Sequence, residues 1–159
     1  LVLGRQAEKL LLAVDADVDF MNLRENPLPF CDGDSVYAKQ EVVSAAERVQ
    51  KADGILVSVP IYNYDANAAA KNLIELSGKG WEDKVVGFLC AAGGHSSYMS
   101  IMSLANSLML DFRCIVLPRF VYVTGESFEE KNLTDPEIEK RIQELTTQLI
   151  KVTLALKTI

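Results

Sequence analysis

Apolar residues follow two rhythms along this chain, and the rhythms alternate. Short, nearly unbroken apolar runs are the pattern of strands buried on both faces of a sheet, and spacings of three and four are the pattern of amphipathic helices. The clearest strand is Ile55, Leu56, Val57, Ser58, Val59. Pro60 is expected to end its ladder, because proline has no N–H to donate. A helix follows from Asp65 or Asn67, with Ala70, Leu73, Ile74 and Ser77 on one face. After Gly78 and Gly80 break the chain, residues 85–90 form a second apolar strand. It runs out into Ala91, Ala92, Gly93, Gly94, His95, Ser96 and Ser97. The next helix is predicted to bury Tyr98, Ile101, Met102, Ala105, Leu108 and Met109.

The flanking segments keep the alternation going. Residues 1–14 read as a helix with Leu3, Ala7, Leu10, Leu11 and Val14 on its stripe, and residues 18–23 alternate like a strand. Pro27 and Pro29 make the stretch after it irregular. Ser35 or Asp34 caps a helix that turns Val42, Val43, Ala46 and Val49 inward. Residues 114–117 open a last strand, which residues 120–123 can continue past Pro118. The final helix starts around Thr134, Asp135, Pro136 and Glu137, with an N-cap and a proline in its first turn, and its core stripe runs from Ile138 through Ile142, Leu145, Leu149 and Val152 to Leu156. Strands and helices in this order imply a doubly wound parallel α/β sheet with helices on both faces, in a single domain.

Composition narrows the function classes. The 159 residues are 49% hydrophobic and 24% charged, ordinary for one globular domain. A formal charge of −6, with no Lys/Arg cluster, argues against a nucleic-acid surface. No apolar run approaches the ~20 residues of a membrane span. Cys31, Cys90 and Cys114 are odd in number and widely spaced, the usage of reduced thiols in a cytoplasmic protein. His95 is the only histidine, so no Cys/His metal site is expected.

Chemistry is therefore sought in loops at the carboxyl ends of the strands, where open α/β sheets bind ligands. The first candidate loop is Pro60, Ile61, Tyr62, Asn63, Tyr64 and Asp65; the second runs through Ala92, Gly93, Gly94 and His95. Two glycines let a backbone approach a flat ligand, and successive N–H groups can hydrogen-bond an electron-rich ring edge. The same residues also suit plain turns: Tyr62 and Asn63 can pack and cap, Gly-Gly can lead into a helix, and His95 can be a capping or surface residue. Asp65 and Glu75 are given no role.

Pro60, Tyr62 and Asn63 after a buried strand, followed by Lys71, Asn72 and Ile74, resemble the NAD(P)H-dependent FMN reductase family, flavodoxin-like proteins with quinone, azo and chromate reductase relatives. The chain departs from that pattern at Ile61, Tyr64, Asp65, Asn67 and Ala68, where the family tends to have an acid, Gly, Ser, Pro and Gly. Weaker matches in the same order are Asn22, Leu23, Arg24 and the pair Asp32 and Asp34. The resemblance implies bound FMN, with Pro60, Ile61, Tyr62 and Asn63 along its ring and Ala92, Gly93, Gly94 and His95 near the pyrimidine edge. A positive dipole there would favour the anionic reduced ring. It implies an enzyme that passes hydride from NAD(P)H through FMN to a small acceptor such as a flavin, a quinone, an azo compound or a metal oxyanion. No catalytic side chain is required. It also implies a homodimer or homotetramer, and the apolar residues Met99 and Leu104, outside the main stripe of their helix, agree with self-association. A flavodoxin-type electron carrier and a flavin-free binding module on the same fold are the rival readings. The flavodoxin-like strand order 2-1-3-4-5 needs five strands, and four are legible here. A central strand and its phosphate-binding loop are therefore expected within roughly 10–25 residues ahead of Leu1.

Overall fold

The structure, a computed structural model, describes residues 1–130 and 132–157. Its central sheet contains β1 (Gly54–Tyr62), β2 (Asp65–Ala66), β3 (Val85–Ala91), β4 (Ile115–Val116) and β5 (Val121–Val123). β1 lies parallel to β3 in a register that runs from Gly54 opposite Val85 to Pro60 opposite Ala91. β4 and β5 pair in parallel with the two ends of β3, so they act as one strand interrupted at Pro118. Proline cannot donate to the ladder, and Arg119 beside it takes a left-handed φ of 59°. A separate small ribbon pairs β6 (Phe128–Glu129) with β7 (Asn132–Leu133).

The helices are α1 (Val2–Leu12), α2 (Gln40–Lys51), α3 (Ala68–Ser77), α4 (Met102–Phe112) and α5 (Pro136–Lys157). Alternate side chains of β3 serve the two layers they form. Val86, Phe88 and Cys90 pack with Val49 of α2, Ile74 of α3 and Leu104 and Leu108 of α4. Val85 and Leu89 pack with Leu3 and Ala7 of α1 and with Ile142 and Leu145 of α5. Gly87 lets this second layer close: a Cβ there would stand 2.8 Å from Leu56 Cδ2 and 3.2 Å from Leu145 Cδ1. Among the described residues, no helix is long and apolar enough to cross a membrane.

Helix ends follow from local hydrogen bonding. The Asn67 side chain accepts from the Ala70 N–H at 3.3 Å and starts α3. Asp135 accepts from Glu137 N at 3.0 Å and Ile138 N at 3.4 Å and starts α5 ahead of Pro136, as expected. The Ser127 hydroxyl and those amides hold the Asp135 carboxyl below its ordinary range. A depressed native pKa means this contribution is present above the unfolded-state value and fades as pH falls through the folded one.

Several sequence expectations shift in the structure. Residues 18–23, whose alternation predicts a strand, carry no ladder. A strand needs a neighbour's N–H and C=O groups, and no described residue supplies them. The segment is held by side chains instead: Arg48 donates to Asp19 at 2.8 Å, and the Arg5 guanidinium lies 3.7 Å over the Phe20 ring. The edge of β1 facing away from β3 is likewise open from Gly54 to Val59, leaving Ile55, Leu56 and Val57 half-buried and Ser58 exposed. Asp34 stands at the N-cap position of the turn ahead of α2 but makes no side-chain cap bond, and Ser35 does not cap; the capping acceptor is Asp32, which accepts from Asp34 N, Val36 N and Ser35 Oγ. It serves a short 3-10 turn, Ser35–Ala38, and α2 begins later, so Ala45 is buried in place of Val43. Residues His95–Ile101 are also 3-10, not α. Within α4, Leu104 shares the stripe of Ile101, Ala105 and Leu108 and is 3% exposed, while Tyr98 and Met109 lie on the surface.

One polar chain in the core makes a test of this packing. Trp81 is 1% exposed, its Nε1–H donates to Ser77 Oγ at 2.7 Å, and Ser77 Oγ donates to the Leu73 carbonyl at 2.5 Å. Ser77→Ala leaves the buried indole N–H without a partner, which costs about 1–3 kcal/mol. A urea titration followed by the fluorescence of this single tryptophan should show the loss; an unchanged midpoint would refute the assignment.

Candidate functional site

The in-register ends of β1 and β3 bring the two candidate loops side by side. Pro60, Ile61, Tyr62 and Asn63 form one wall of an open cleft of about 680 Å³, and Ala91, Ala92 and Gly93 form the other. That volume is within the ~300–1,000 Å³ typical of small-molecule sites. Gly94 and His95 are not among the lining residues.

The first wall is a tight hairpin where an irregular loop is expected. β1 leaves β3 at Pro60 but runs on through Ile61 and Tyr62, which pair antiparallel with Ala66 and Asp65 of β2. Asn63 and Tyr64 close the turn with φ of 51° and 62°. Two consecutive left-handed residues are the signature of a type I′ turn, whose twist suits a two-residue hairpin. Asn tolerates this conformation, whereas a residue such as Tyr is disfavoured by roughly 1–2 kcal/mol. Ile61 is 6% exposed and spends its side chain on the core, so it can offer the cleft little beyond backbone. Tyr62 and Tyr64 are 62% and 68% exposed, with their rings free for contact.

The second wall is bare backbone. Ala92 donates its N–H to the Val123 carbonyl at 2.9 Å, fixing where the loop leaves the sheet. The N–H groups of Gly93 and Gly94 make no backbone hydrogen bond to any described residue. A Cβ on either glycine would meet no protein atom within 4 Å, and neither φ is left-handed. Neither turn geometry nor internal packing therefore calls for glycine at these two positions. What they leave is open space beside free donors at the cleft.

The loop is held from behind by a residue that the pattern reading passes over. The Tyr122 hydroxyl, on β5, donates to the Gly94 carbonyl and lies 2.7 Å from Ser97 Oγ. Its ring is 8% exposed and meets Tyr98 edge-on at 5.4 Å, and Tyr98 stacks on Phe120 at 4.8 Å. The sequence hint was the continuation of an apolar strand past Pro118 with a hydroxyl-bearing aromatic in it. Asn72 also acquires a role. It accepts from Cys31 N and donates to the Pro29 carbonyl, both at 2.9 Å, clamping the proline loop onto α3. Lys71 pairs with Glu75 at 2.9 Å, away from the cleft lining.

Side-chain chemistry at the cleft is sparse. His95 is mostly exposed, and its Nε2 lies 3.3 Å from Glu126 Oε2. Cys90 lies directly before Ala91, but burial pushes its thiol up to about 12, so it is protonated at neutral pH and no nucleophile. Among the described residues no group of three His, Cys, Asp or Glu is placed to hold a metal ion.

An open parallel sheet between two helical layers, with a cleft at the carboxyl ends of its strands, is the layout of the doubly wound α/β class. The family model for NADPH-dependent FMN reductases matches residues 1–129, and the chain belongs to that family. An NAD(P)H-dependent FAD/FMN reductase of Geobacillus thermodenitrificans is 31% identical over 147 residues, covering 90% of this chain and 79% of the relative. An NADPH:quinone oxidoreductase of Arabidopsis thaliana is 26% identical over 149 residues, covering 88% and 76%. The flavoenzyme NAD(P)H:(acceptor) oxidoreductase FerB from Paracoccus denitrificans superposes with a TM-score of 0.73 at 19% identity, over 96% of this chain and 90% of that one. A flavodoxin, WrbA-like protein from Agrobacterium tumefaciens superposes at 0.66 with 14% identity, over 96% and 90%, which places the fold as flavodoxin-like. As a member of the family the protein is an NAD(P)H-dependent oxidoreductase, with FMN as cofactor and NAD(P)H as hydride donor.

If Tyr122 positions the glycine loop, Tyr122→Phe in the full-length protein should keep the fold and weaken FMN about fivefold, the equivalent of one hydrogen bond of ~1 kcal/mol. Amide exchange across residues 93–97 should rise with it. Unchanged FMN affinity in a fluorescence titration would make the hydroxyl merely structural.

Proposed function

We propose that the cleft between residues 60–63 and 91–93 holds the ring system of FMN, and that the protein is a cytoplasmic reductase of small electron acceptors. The observation that carries this reading is the loop of the second wall, where Gly93 in the lining and Gly94 just beyond it are required by neither conformation nor packing and their amides are free. The N–H groups of Gly93 and Gly94 would donate to the polar edge of the ring, with Ala92 and His95 flanking them. Pro60, Ile61, Tyr62 and Asn63 would lie along the ring's other side. Bound there, FMN supplies the chemistry itself, accepting hydride from the nicotinamide and giving electrons to the second substrate. The overall exchange balances simply: NAD(P)H becomes NAD(P)⁺, and a quinone takes two electrons and two protons, one of them from solvent. Flavins, azo compounds and metal oxyanions are the other acceptor classes this chemistry admits.

The chain's own residues need only bind, orient and shield. No side chain lining the cleft is acidic, basic or a nucleophile. The three cysteines are free, which supports a reducing compartment. The open edge of β1 supports one further parallel strand between it and residues 18–23, with a loop before α1 that would hold the phosphate. Tyr98, Met99, Met109 and Leu110 are exposed around α4, with Leu110 at 85%, which supports a homodimer or homotetramer joined across that face.

Two measurements test this. The full-length protein should carry a yellow chromophore that NADPH bleaches, and Tyr62→Ala with Asn63→Ala should weaken FMN about tenfold or more. Colour that NADPH leaves unchanged would mean an electron carrier, and no FMN binding would mean a flavin-free module. Sedimentation at micromolar concentration should give a multiple of the monomer mass, and Leu110→Glu should reduce it; a wild-type monomer would refute the α4 interface.

A further inference from the structure

Tyr64 sits at the second turn position between β1 and β2, and nothing inside the fold accounts for a tyrosine there. Its backbone is left-handed, a conformation that large side chains disfavour, and its ring is 68% exposed, so packing does not explain it. The side chain instead reaches across the site. Its phenolic oxygen lies 3.1 Å from Ser96 Oγ, in the turn that follows Gly93 and Gly94. The turn is anchored on the same side by Ser103 Oγ, which donates to Asp65 Oδ1 at 2.7 Å. Tyr64 adjoins Asn63 of one wall, and Ser96 follows Gly93 of the other by three residues. Their contact therefore ties the hairpin turn to the turn after the glycines, just beyond the residues that line the two walls.

We propose that Tyr64 is a specificity-determining residue for the electron acceptor, its ring forming an end wall that admits compact single-ring acceptors and turns away elongated planar ones. This rests on the reading that the cleft holds a flavin ring and the acceptor beside it. An exposed aromatic ring at an apolar cleft gains by lying against another flat ring of matching size. A molecule longer than the closed cleft must first break the Tyr64–Ser96 hydrogen bond and swing the ring aside. Specificity then arises from an obstacle to the wrong substrate as much as from contacts to the right one.

The test uses the full-length, flavin-loaded protein with Tyr64→Gly, Tyr64→Phe and Ser96→Ala. Glycine relaxes the left-handed turn, so the Tm of Tyr64→Gly should be no lower than wild type. Its kcat/KM for a two-ring azo compound, relative to that for benzoquinone, should rise about five- to tenfold. Tyr64→Phe and Ser96→Ala free the ring without removing it and should fall between. A redox-inert planar two-ring ligand, stilbene, should bind Tyr64→Gly more tightly by calorimetry. If neither the acceptor ratio nor stilbene binding moves in a Tyr64→Gly protein with retained Tm, the end wall is overturned. If wild type holds no FMN, the flavin reading fails instead, and stilbene binding alone decides whether Tyr64 closes the cleft.

Discussion

The site depends on one pairing, the parallel register of β1 on β3 from Gly54 opposite Val85 to Pro60 opposite Ala91. Parallel strands point their carboxyl ends the same way, so a shared last pair releases both loops at the same level of the sheet. Because strand side chains have a period of two, a one-residue slip would turn Val59 and Ile61 out of the core and carry Tyr62 and Asn63 off the cleft. The register is locked on both faces. Val86, Phe88 and Cys90 are interdigitated with one helical layer, and Val85 and Leu89 with the other. Leu56 and Leu145 can close over β3 because position 87 carries no Cβ.

The loops inherit this precision because each is tied again just beyond the sheet. Ala92 N bonds Val123 O, Tyr122 holds Gly94 from behind, and Asn67 N bonds Pro60 O at 3.2 Å. What remains untied is the pair of amides on Gly93 and Gly94 and the ring of Tyr62. Donors and aromatic faces left free beside a cleft fixed on every other side form a preorganised surface, so a flat ligand would bind with little ordering of the protein.

Long, strongly periodic elements were legible in the sequence, and phase-sensitive details were not. α5 and its Asp135-Pro136 start, β3, and the break at Pro118 follow from apolar spacing and from proline's missing donor. That the two candidate loops lie side by side was also legible, because it needs only strand order and direction, whereas the position of Gly94 and His95 outside the cleft lining was not. Residues 18–23 failed because pairing is a property of two segments, and alternation in one cannot supply the other. Leu104 was set outside a stripe to which its spacing of three from Ile101 and four from Leu108 assigns it, and Tyr98 failed because a 3-10 turn rather than an α-helix carries it. Tyr122 and Asn72 were invisible as site supports, since their partners, Gly94 and the Pro29–Cys31 backbone, lie 28 and 41 to 43 residues away.

Local rules and tertiary structure agree through most of the chain, and the places where they part carry information. The other left-handed non-glycine residues, such as Arg113 at the end of α4, close helices or turns where short-range geometry explains them. Asn63 and Tyr64 are different, since two in succession stand beside the cleft and one of them is a bulky aromatic. Gly93 and Gly94 are the inverse case, flexible residues where neither backbone nor packing demands flexibility. A sequence under selection for stability alone would exchange these choices, placing the glycine in the turn and side chains on the bare loop. That Asn63 and Gly93, one from each exception, line opposite walls of the same cleft is what selection for a ligand, rather than for the fold, would leave behind.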